Sequence, residues 1–365
     1  MKSLQYEKKK QKLLKNFSGA LRNGRTISLQ KKTISNLFRY KERKKNTVNI
    51  PLSDFNNIIK IDAKNKILEV EGLTTYEKIV DYCLPYNLLP TVTPELKNIT
   101  IGGAIVGIGI ESTCYKYGFV HDGLIEADIL TPEGKIITCT KTNYYKDLFH
   151  ALGNSYGTFG YILRAKIKLH DAKPYVHIKN IRYYNVKTFV NAMNNATKDK
   201  NIDFIESLLF SKNELYLMLS KYIDNVSYTD NIYRGEYFYK LCRKKKDAYL
   251  TIKDYIFRYD PDWFWNFPET FIYKLFRKIA PLSLRNSAFY TRYIKFKKKI
   301  FEEKNDKERL IQDWEVTWNK AEELTNFALE NVNLGKNPWL AVPIKVLSSN
   351  PIYPLKINKL YYNLG

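Results

Sequence analysis

Histidine, cysteine and long apolar runs are scarce in this 365-residue chain, and each scarcity excludes a class of function. The histidines are His121, His150, His170 and His177, too few to favour a histidine-based metal site or a Ser-His-Asp triad. Four cysteines show neither a CxxC pair nor a metal spacing, which predicts reduced thiols in a cytoplasmic protein. No run approaches the roughly 18 apolar residues of a membrane span, and the lysine-rich start lacks the apolar core of a signal peptide.

Positive charge, by contrast, is abundant. Sixty lysines and arginines outnumber 37 acidic residues, for a formal net charge of +23. The basic residues are dispersed, apart from short clusters at residues 41–45, 243–246 and 295–299. This surplus is typical of a solvated surface, and it also suits peripheral contact with the acidic lipid of a membrane. No RNA-binding signature accompanies it, so we expect no specific nucleic-acid partner.

Length and periodicity predict a globular chain of about two domains that contains both helices and short strands. The basic, amphipathic residues 1–20 indicate one surface helix. Residues 161–170 alternate, which predicts a half-buried strand with Arg164 on the polar face. Residues 247–259 are predicted to be helical. Further strands are predicted at 47–52, 58–62, 67–71, 124–130, 136–140, 204–210, 215–220, 310–316, 339–346 and 359–364, and further helices at 76–84, 147–152, 186–197, 270–279 and 320–331.

A glycine-rich segment, residues 100–112, stands out from the rest of the chain. It reads T-I-G-G-A-I-V-G-I-G-I-E-S, with large apolar residues in most gaps between its four glycines. Glycine lets the backbone come close to a ligand while apolar neighbours pack behind it. Successive N–H groups in such a run can form a concave site for a pyrophosphate. The alternative is a tight turn in a packed core.

Part of this segment resembles a Rossmann fingerprint, because residues 107–112 read G-I-G-I-E-S and Asp128 follows at the spacing of a ribose-binding acid. However, Ser112 replaces the third glycine, and several short strands precede the motif. The strands after it pair as hairpins without long intervening helices. A parallel, doubly wound sheet is therefore not indicated.

The wider arrangement closely resembles the flavin domain of the vanillyl-alcohol-oxidase/PCMH superfamily. Within it, the greatest likeness is to the FAD-linked Δ24-sterol reductases and their soluble bacterial relatives. The likeness runs from about residue 35 to the end of the chain. It rests on the ordered motifs Pro94-Glu95-Leu96, T-I-G-G-A-I-V-G-I-G-I-E-S, Lys116-Tyr117-Gly118, Glu133-Gly134, Gly157-Thr158-Phe159-Gly160, Asp254-Tyr255-Ile256-Phe257-Arg258-Tyr259-Asp260, Asp262-Trp263-Phe264-Trp265, Gln312-Asp313-Trp314-Glu315-Val316, Asn337-Pro338-Trp339-Leu340 and residues 361–365.

The resemblance implies an α+β fold in which a PCMH-type, two-subdomain FAD-binding domain is followed by an α+β substrate (cap) domain. The expected divisions are a basic N-terminal helix or extension at 1–30, the FAD-binding domain at 31–172 and the cap domain at 173–365. The segment by which relatives return to the flavin domain has no counterpart before Gly365, so we expect it to be absent.

The resemblance also implies a non-covalent FAD, since no histidine precedes His121 to form the usual covalent bond. One departure from the family weakens this expectation: residues 27–32 read I-S-L-Q-K-K where relatives have a phosphate loop rich in glycine and proline. The residues that match the cofactor-binding positions are Thr100, Ile101, Gly102, Gly103, Ala104, Ile105, Val106, Gly107, Ile108, Gly109, Ile110, Glu111, Ser112, Tyr117, Gly118, Gly157, Gly160 and Ile162.

Four residues are candidates for protonating or orienting a substrate: Glu111, Lys116, Arg258 and Asp262. Each has a structural alternative. Glu111 is equally suited to capping a loop, and Arg258 to a structural ion pair with Asp260 or Asp262. The aromatic residues 263–265 are typical of a packed core.

The expected function is that of an FAD-dependent oxidoreductase acting on CH–CH or CH–OH groups. It would transfer hydride through flavin N5 to or from an apolar, sterol- or lipid-like substrate, with NADPH as a candidate electron donor. Two alternatives stay open. One is an FAD-linked oxidase of an alcohol or sugar on the same fold, and the other is a degenerate, non-catalytic basic binding protein.

Overall fold

The structure is a computed structural model that describes residues 2–23, 25–30, 47–234, 237–262, 271–290, 292–293 and 312–365. Within these residues it contains helices and three β-sheets, the larger two built from antiparallel pairs. Mixed helices and antiparallel sheets confirm the predicted α+β fold. None of the helices in these ranges is long and apolar enough to cross a membrane.

The strands are β1 Thr26–Gln30, β2 Thr47–Pro51, β3 Ile58–Asp62, β4 Ile67–Glu71, β5 Leu88–Pro90, β6 Leu124–Leu130, β7 Ile136–Thr140, β8 Tyr161–Asp171, β9 Tyr175–Tyr183, β10 Phe204–Ser211, β11 Glu214–Ile223, β12 Asp247–Thr251, β13 Trp314–Thr317, β14 Trp339–Lys345 and β15 Leu360–Leu364. The α-helices are α1 Lys2–Arg22, α2 Tyr76–Cys83, α3 Ile101–Val106, α4 Cys114–Tyr117, α5 Lys146–His150, α6 Val186–Ala196, α7 Phe238–Leu241, α8 Ile252–Ile256, α9 Phe271–Ile279 and α10 Ala321–Asn331. A 3₁₀ turn at Leu282–Leu284 follows α9.

The first large sheet has the order β3-β4-β8-β6-β7, with β5 paired to β8. The predicted hairpin of β6 and β7 is present, with Gly134 in its turn at a φ of +79°. The prediction for β8 is wrong in one respect: Arg164 is buried instead of facing solvent. It is covered because α1 lies over it, and its guanidinium binds Asp128, Glu126 and Glu69.

The second large sheet has the order β12-β9-β11-β10-β14-β15-β13. Here the predicted helix at 247–259 is wrong over its first part, because Asp247–Thr251 forms a strand against β9. Ala248 and Leu250 alternate into the core, and Thr251 then caps α8 by accepting a hydrogen bond from the Asp254 N–H. Strand β9 was not predicted. The predicted boundary near residue 172 stays a prediction; β8 ends at Asp171 in one sheet and β9 begins at Tyr175 in the other.

Helix α1 is attached to the first half of the chain by both packing and charge. Tyr6, Leu13 and Phe17 are buried in a small core together with residues of β2, β6 and β8. The Tyr6 hydroxyl donates to Oδ2 of Asp128 (2.7 Å), and the Lys9 ammonium pairs with Glu71 (2.7 Å). Asp128, the acid at a Rossmann-like spacing, is therefore occupied by internal partners. The basic N-terminal residues form part of the fold and not a free tail.

We predict that Phe17→Ala lowers the free energy of unfolding by about 3–5 kcal/mol, because it empties a well-packed site against the Gly134 turn. The matched control on the same helix is Leu4→Ala at an exposed position, with an expected change within about 0.5 kcal/mol. Denaturant unfolding measures both. Equal stabilities of the two variants would contradict the docking of α1.

Candidate functional site

The glycine segment folds as a short helix, α3, followed by a half-exposed strip. The Thr100 hydroxyl caps α3 by accepting from the Gly103 N–H (3.3 Å). Gly102 packs directly against the strand side of the domain: a Cβ added there would lie 2.9 Å from the Gly72 carbonyl oxygen and 3.3 Å from Cβ of Ile162. Close packing of α3 onto the sheet therefore requires glycine at this position.

Most of the N–H groups expected to form an anion site have partners within the chain. The Gly102 N–H donates to the Gly72 carbonyl (2.9 Å), that of Gly107 to Gly103 (2.9 Å) and that of Gly109 to Ala104 (3.1 Å). The expected concave pyrophosphate site is therefore not formed by these donors, because helix formation and sheet contact use them. Cofactor contact by this segment stays a prediction, and it would be made through its surface atoms.

That surface suits a flat aromatic group. Gly103 and residues 106–110 are partly exposed, and apart from the capping Thr100 hydroxyl at 3.0 Å no atom lies near a Cβ added at Gly103. Ile108 has a φ of +54°, which costs energy for a β-branched residue and is typical of functional segments. The Tyr156 N–H donates to the Val106 carbonyl (2.9 Å) and holds the loop 156–160 beside the strip. These residues fit an extended flavin cofactor.

The strip ends at a small cleft with a free volume of about 10 Å³, which is room for about one water molecule. The cleft lies where the two large sheets meet, and the Ile205 N–H at the start of β10 donates to the Ser112 carbonyl (2.9 Å). Both halves of the chain contribute to its lining, which consists of Pro90, Thr91, Thr93, Glu111, Ser112, Thr113, His170, Phe204, Ile256 and Arg258. The structure thus brings the predicted candidates Glu111 and Arg258 together.

Arg258 is held at the cleft by a buried carboxylate from the second sheet. Its Nη2 donates to Oε2 of Glu206 (2.6 Å) and its Nε to Oε1 (3.0 Å). Nη2 also lies 3.6 Å from a carboxylate oxygen of Glu95. The predicted pairing of Arg258 with Asp260 or Asp262 is therefore wrong, because Glu206 in β10 faces the guanidinium.

Glu95 and Glu111 form a second buried acidic pair next to this ion pair. The Glu95 N–H donates to Oε1 of Glu111 (3.0 Å), so Glu111 does cap a loop. Desolvation, with the negative charge of Glu95 beside it, holds the pKa of Glu111 well above its usual range. Desolvation also raises the pKa of Glu95, against the opposing effect of Arg258. With two carboxyls and one guanidinium already matched to Glu206, ionisation of both carboxyls is disfavoured.

The other two predicted catalytic residues lie outside the cleft lining. Lys116 pairs with Asp203 (3.6 Å) at a partly exposed position. Asp262 is buried and binds Nε of Arg277 (2.9 Å), and desolvation raises its pKa to about 6 against the effect of that arginine. Both make structural ion pairs in this structure. A catalytic role for either is not supported by its position.

The remaining predicted cofactor residues surround the strip. The Tyr117 ring lies against that of His170, tilted by 35° with ring centroids 5.0 Å apart, and Gly118 has a φ of +74° beside Asp122. Ile162 lies beneath α3. Residues 27–30 of the expected phosphate loop instead form β1, in parallel register with β2, while residues 31 and 32 lie outside the described residues.

Two functional side chains escaped prediction: Glu206 and His170. A signal existed for Glu206, since a lone carboxylate within the apolar run F-I-E-S-L-L-F demands a buried partner. His170 was placed on the polar face of β8, and it instead lines the cleft with its pKa lowered to about 4, mainly by desolvation.

A family described as "FAD binding domain" matches residues 22–140, which include β1 to β7, the glycine segment and α4. The superfamily resemblance inferred from the sequence is confirmed by this match and by the relatives.

Those relatives are Delta(24)-sterol reductases. The chain is 32% identical over 183 residues to the enzyme of Pisum sativum, covering 47% of this chain and 32% of the relative. It is 27% identical over 241 residues to that of Homo sapiens, and this match covers 63% of this chain and 46% of the relative. A Delta(24)-sterol reductase homologue of Caenorhabditis elegans is 24% identical over 395 residues, covering 97% and 72%. The chain therefore matches less than half the length of the first two relatives.

We predict that Glu111→Gln stabilises the fold at high pH but not at low pH. Because the folded-state pKa of Glu111 is raised above the unfolded value near 4.5, its contribution is complete below that value and is lost as pH rises through the folded pKa. Glutamine still accepts the Glu95 N–H and does not ionise. Melting temperatures measured from about pH 4 to about pH 9 should show the variant becoming more stable relative to the wild type as the pH rises.

The control for this experiment is Glu323→Gln, an exposed carboxylate on α10, which should track the wild type at every pH. The groups facing Glu111 that also contribute are Glu95, Glu206 and Arg258. Parallel curves for Glu111→Gln and the wild type would show that folding does not raise the pKa of Glu111.

Proposed function

We propose that this protein is an FAD-dependent oxidoreductase that reduces an apolar alkene, resembling the Delta(24)-sterol reductases. One observation carries the proposal. Glu111, which accepts a hydrogen bond from the Glu95 N–H, lines the small cleft at the end of the half-exposed glycine strip. The FAD-binding family match and the names of the relatives support the same reaction class.

FAD, when bound, supplies hydride transfer at its N5. Gly103 and the strip 106–110 would hold the ring system, since they offer open backbone and half-exposed apolar side chains. The loop 156–160, tied to Val106, would border the same surface. The chain's own contribution here is positioning and exclusion of water.

Reduction of an alkene also requires a proton. Glu111 lines the cleft and has a pKa raised by desolvation, so it is the proton donor in this proposal. Arg258, fixed by Glu206, also lines the cleft and opposes the rise in the pKa of Glu95 and of Glu111. Glu206 and Glu95 act through these two residues as positioning groups.

The names of the relatives support an apolar substrate, whereas the cleft itself has room for about one water molecule. Phe204, Ile256 and Pro90 provide apolar wall, while threonine hydroxyls lie on the side of the first sheet. The proposed electron donor is NADPH. An alcohol- or sugar-oxidising activity on the same fold is the second candidate, because the open strip and the acid pair equally suit removal of a hydride and a proton.

We expect Gly103→Leu to lose FAD while remaining folded. The leucine side chain would occupy the open surface of the strip, with only the Thr100 hydroxyl close to its Cβ. Gly19→Leu, a helical glycine with nothing within 4 Å of its Cβ, is the matched control and should keep the wild-type flavin content. Flavin absorbance of purified protein, after incubation with FAD, measures both variants. Equal flavin content in both would place the cofactor elsewhere.

We expect Glu111→Gln to retain FAD but to slow turnover of an apolar alkene by about 10²–10⁴-fold, the usual contribution of a general acid. Reduction of bound FAD by NADPH or dithionite should proceed at the wild-type rate, because that step does not use the carboxyl. Glu323→Gln again serves as the control. An unchanged turnover would remove Glu111 from the mechanism, and bleaching of the flavin by an alcohol or sugar without NADPH would favour the second candidate.

A further inference from the structure

The described part of the segment from α9 to residue 293 buries charged as well as apolar side chains and leaves large apolar side chains exposed. Surface helices usually turn apolar side chains inward and charged ones outward. Here Arg277 and Arg285 are buried along with Ala280. Ile279 is 69% exposed, Leu282 51% and Leu275 47%.

Specific bonds to the stretch after Arg258 fix the inner side of this segment. Arg277 Nε donates to Asp262 (2.9 Å), and the Ser287 hydroxyl donates to Oδ1 of Asp260 (2.6 Å). The Tyr290 hydroxyl donates to the Pro261 carbonyl (3.1 Å). The outward direction of the apolar side chains is therefore set by buried polar contacts, and turning the helix over would leave those charges unpaired.

Five large apolar side chains are exposed on the outer side of this segment. Leu284 (36%) and Tyr293 (51%) join Leu275, Ile279 and Leu282 within 19 positions of the chain. Residues 275 and 279 are one helical turn apart, so they lie side by side on α9. Exposed apolar side chains grouped in this way mark an interaction site more often than single scattered ones do.

The positive charge of this stretch indicates which kind of partner the exposed face would bind. Residues 271–300 contain nine lysines and arginines and no acidic residue. Lys278 and Arg292 are exposed on the described part of this stretch. A second copy of a chain with a net charge of +23 would be repelled from this face, whereas an anionic bilayer offers both hydrocarbon and negative charge.

We propose that α9 and the 3₁₀ turn after it form a monotopic docking face for an anionic lipid bilayer. Leu275, Ile279 and Leu282 enter the boundary between headgroups and acyl chains, and Lys278 and Arg292 contact the headgroups. The anchoring residues 260–262 follow Arg258 of the cleft directly, so docking brings the cleft wall close to the lipid. This surface is independent of the cofactor and of the reaction.

Vesicle flotation of the full chain tests the proposal. The wild type should float with vesicles of phosphatidylcholine plus phosphatidylserine, bind much less to phosphatidylcholine alone, and be released by salt. The double variant Ile279→Glu, Leu282→Glu should bind the anionic vesicles at least about tenfold more weakly, since it replaces inserted apolar area with charge. Both positions are exposed, so folding should be preserved and is checked by the melting temperature.

Two controls separate this face from other sources of binding. Phe327→Glu, at a 55% exposed position on α10, should leave vesicle binding unchanged. Lys8→Glu with Lys12→Glu tests the basic side of α1 and should reduce binding only slightly. The proposal is overturned if the wild type does not bind anionic vesicles, if the α9 variant binds as well as the wild type, or if only the α1 variant loses binding. Light scattering that shows a dimer dissolved by the α9 variant would overturn it in favour of a second copy.

Discussion

The buried guanidinium of Arg258 is the constraint on which the centre of the molecule depends. It lies where the two large sheets meet, and it satisfies Glu206 through two hydrogen bonds while facing Glu95. One cation among three buried carboxyls cannot neutralise all of them. Desolvation accordingly raises the pKa of both unmatched acids, Glu95 and Glu111. Removing the arginine would leave an uncompensated buried charge, which typically costs about 3–5 kcal/mol.

The position of Glu111 depends on close packing of the glycine segment against the first large sheet. Gly102 permits α3 to approach Gly72 and Ile162 more closely than any side chain would allow. The chain then continues along an exposed strip to Glu111 at the cleft. Two neighbouring glycines have different surroundings. Gly102 faces the sheet, and Gly103 faces outward and leaves the surface predicted to contact a cofactor open.

Much of the fold was predictable from local pattern. The α1 helix, the β6–β7 hairpin and the helices at 186–196 and 321–331 follow from periodicity and turn residues, and the ordered motifs indicated the FAD-binding family. Strand β12 was mistaken for helix because a five-residue alternating run directly precedes a true helical turn. Arg164 was predicted to face solvent but is buried, because the helix that covers it, α1, comes from a distant part of the sequence.

The sequence by itself determined many of the elements, since these depend on residues near one another in the chain, and its ordered motifs indicated FAD as the class of cofactor. Tertiary structure alone decided the ionic partners. Glu206 and Arg258 are 52 residues apart, and Asp262 binds Arg277 and not Arg258. Such choices depend on which side chains two sheets bring within a few ångströms, and on how much water is excluded there. The spacing of residues along the chain reveals neither the distances between side chains in the fold nor the degree to which they lose water. The fold brings Glu111 and Arg258 together in the cleft lining and leaves Lys116 and Asp262 outside it.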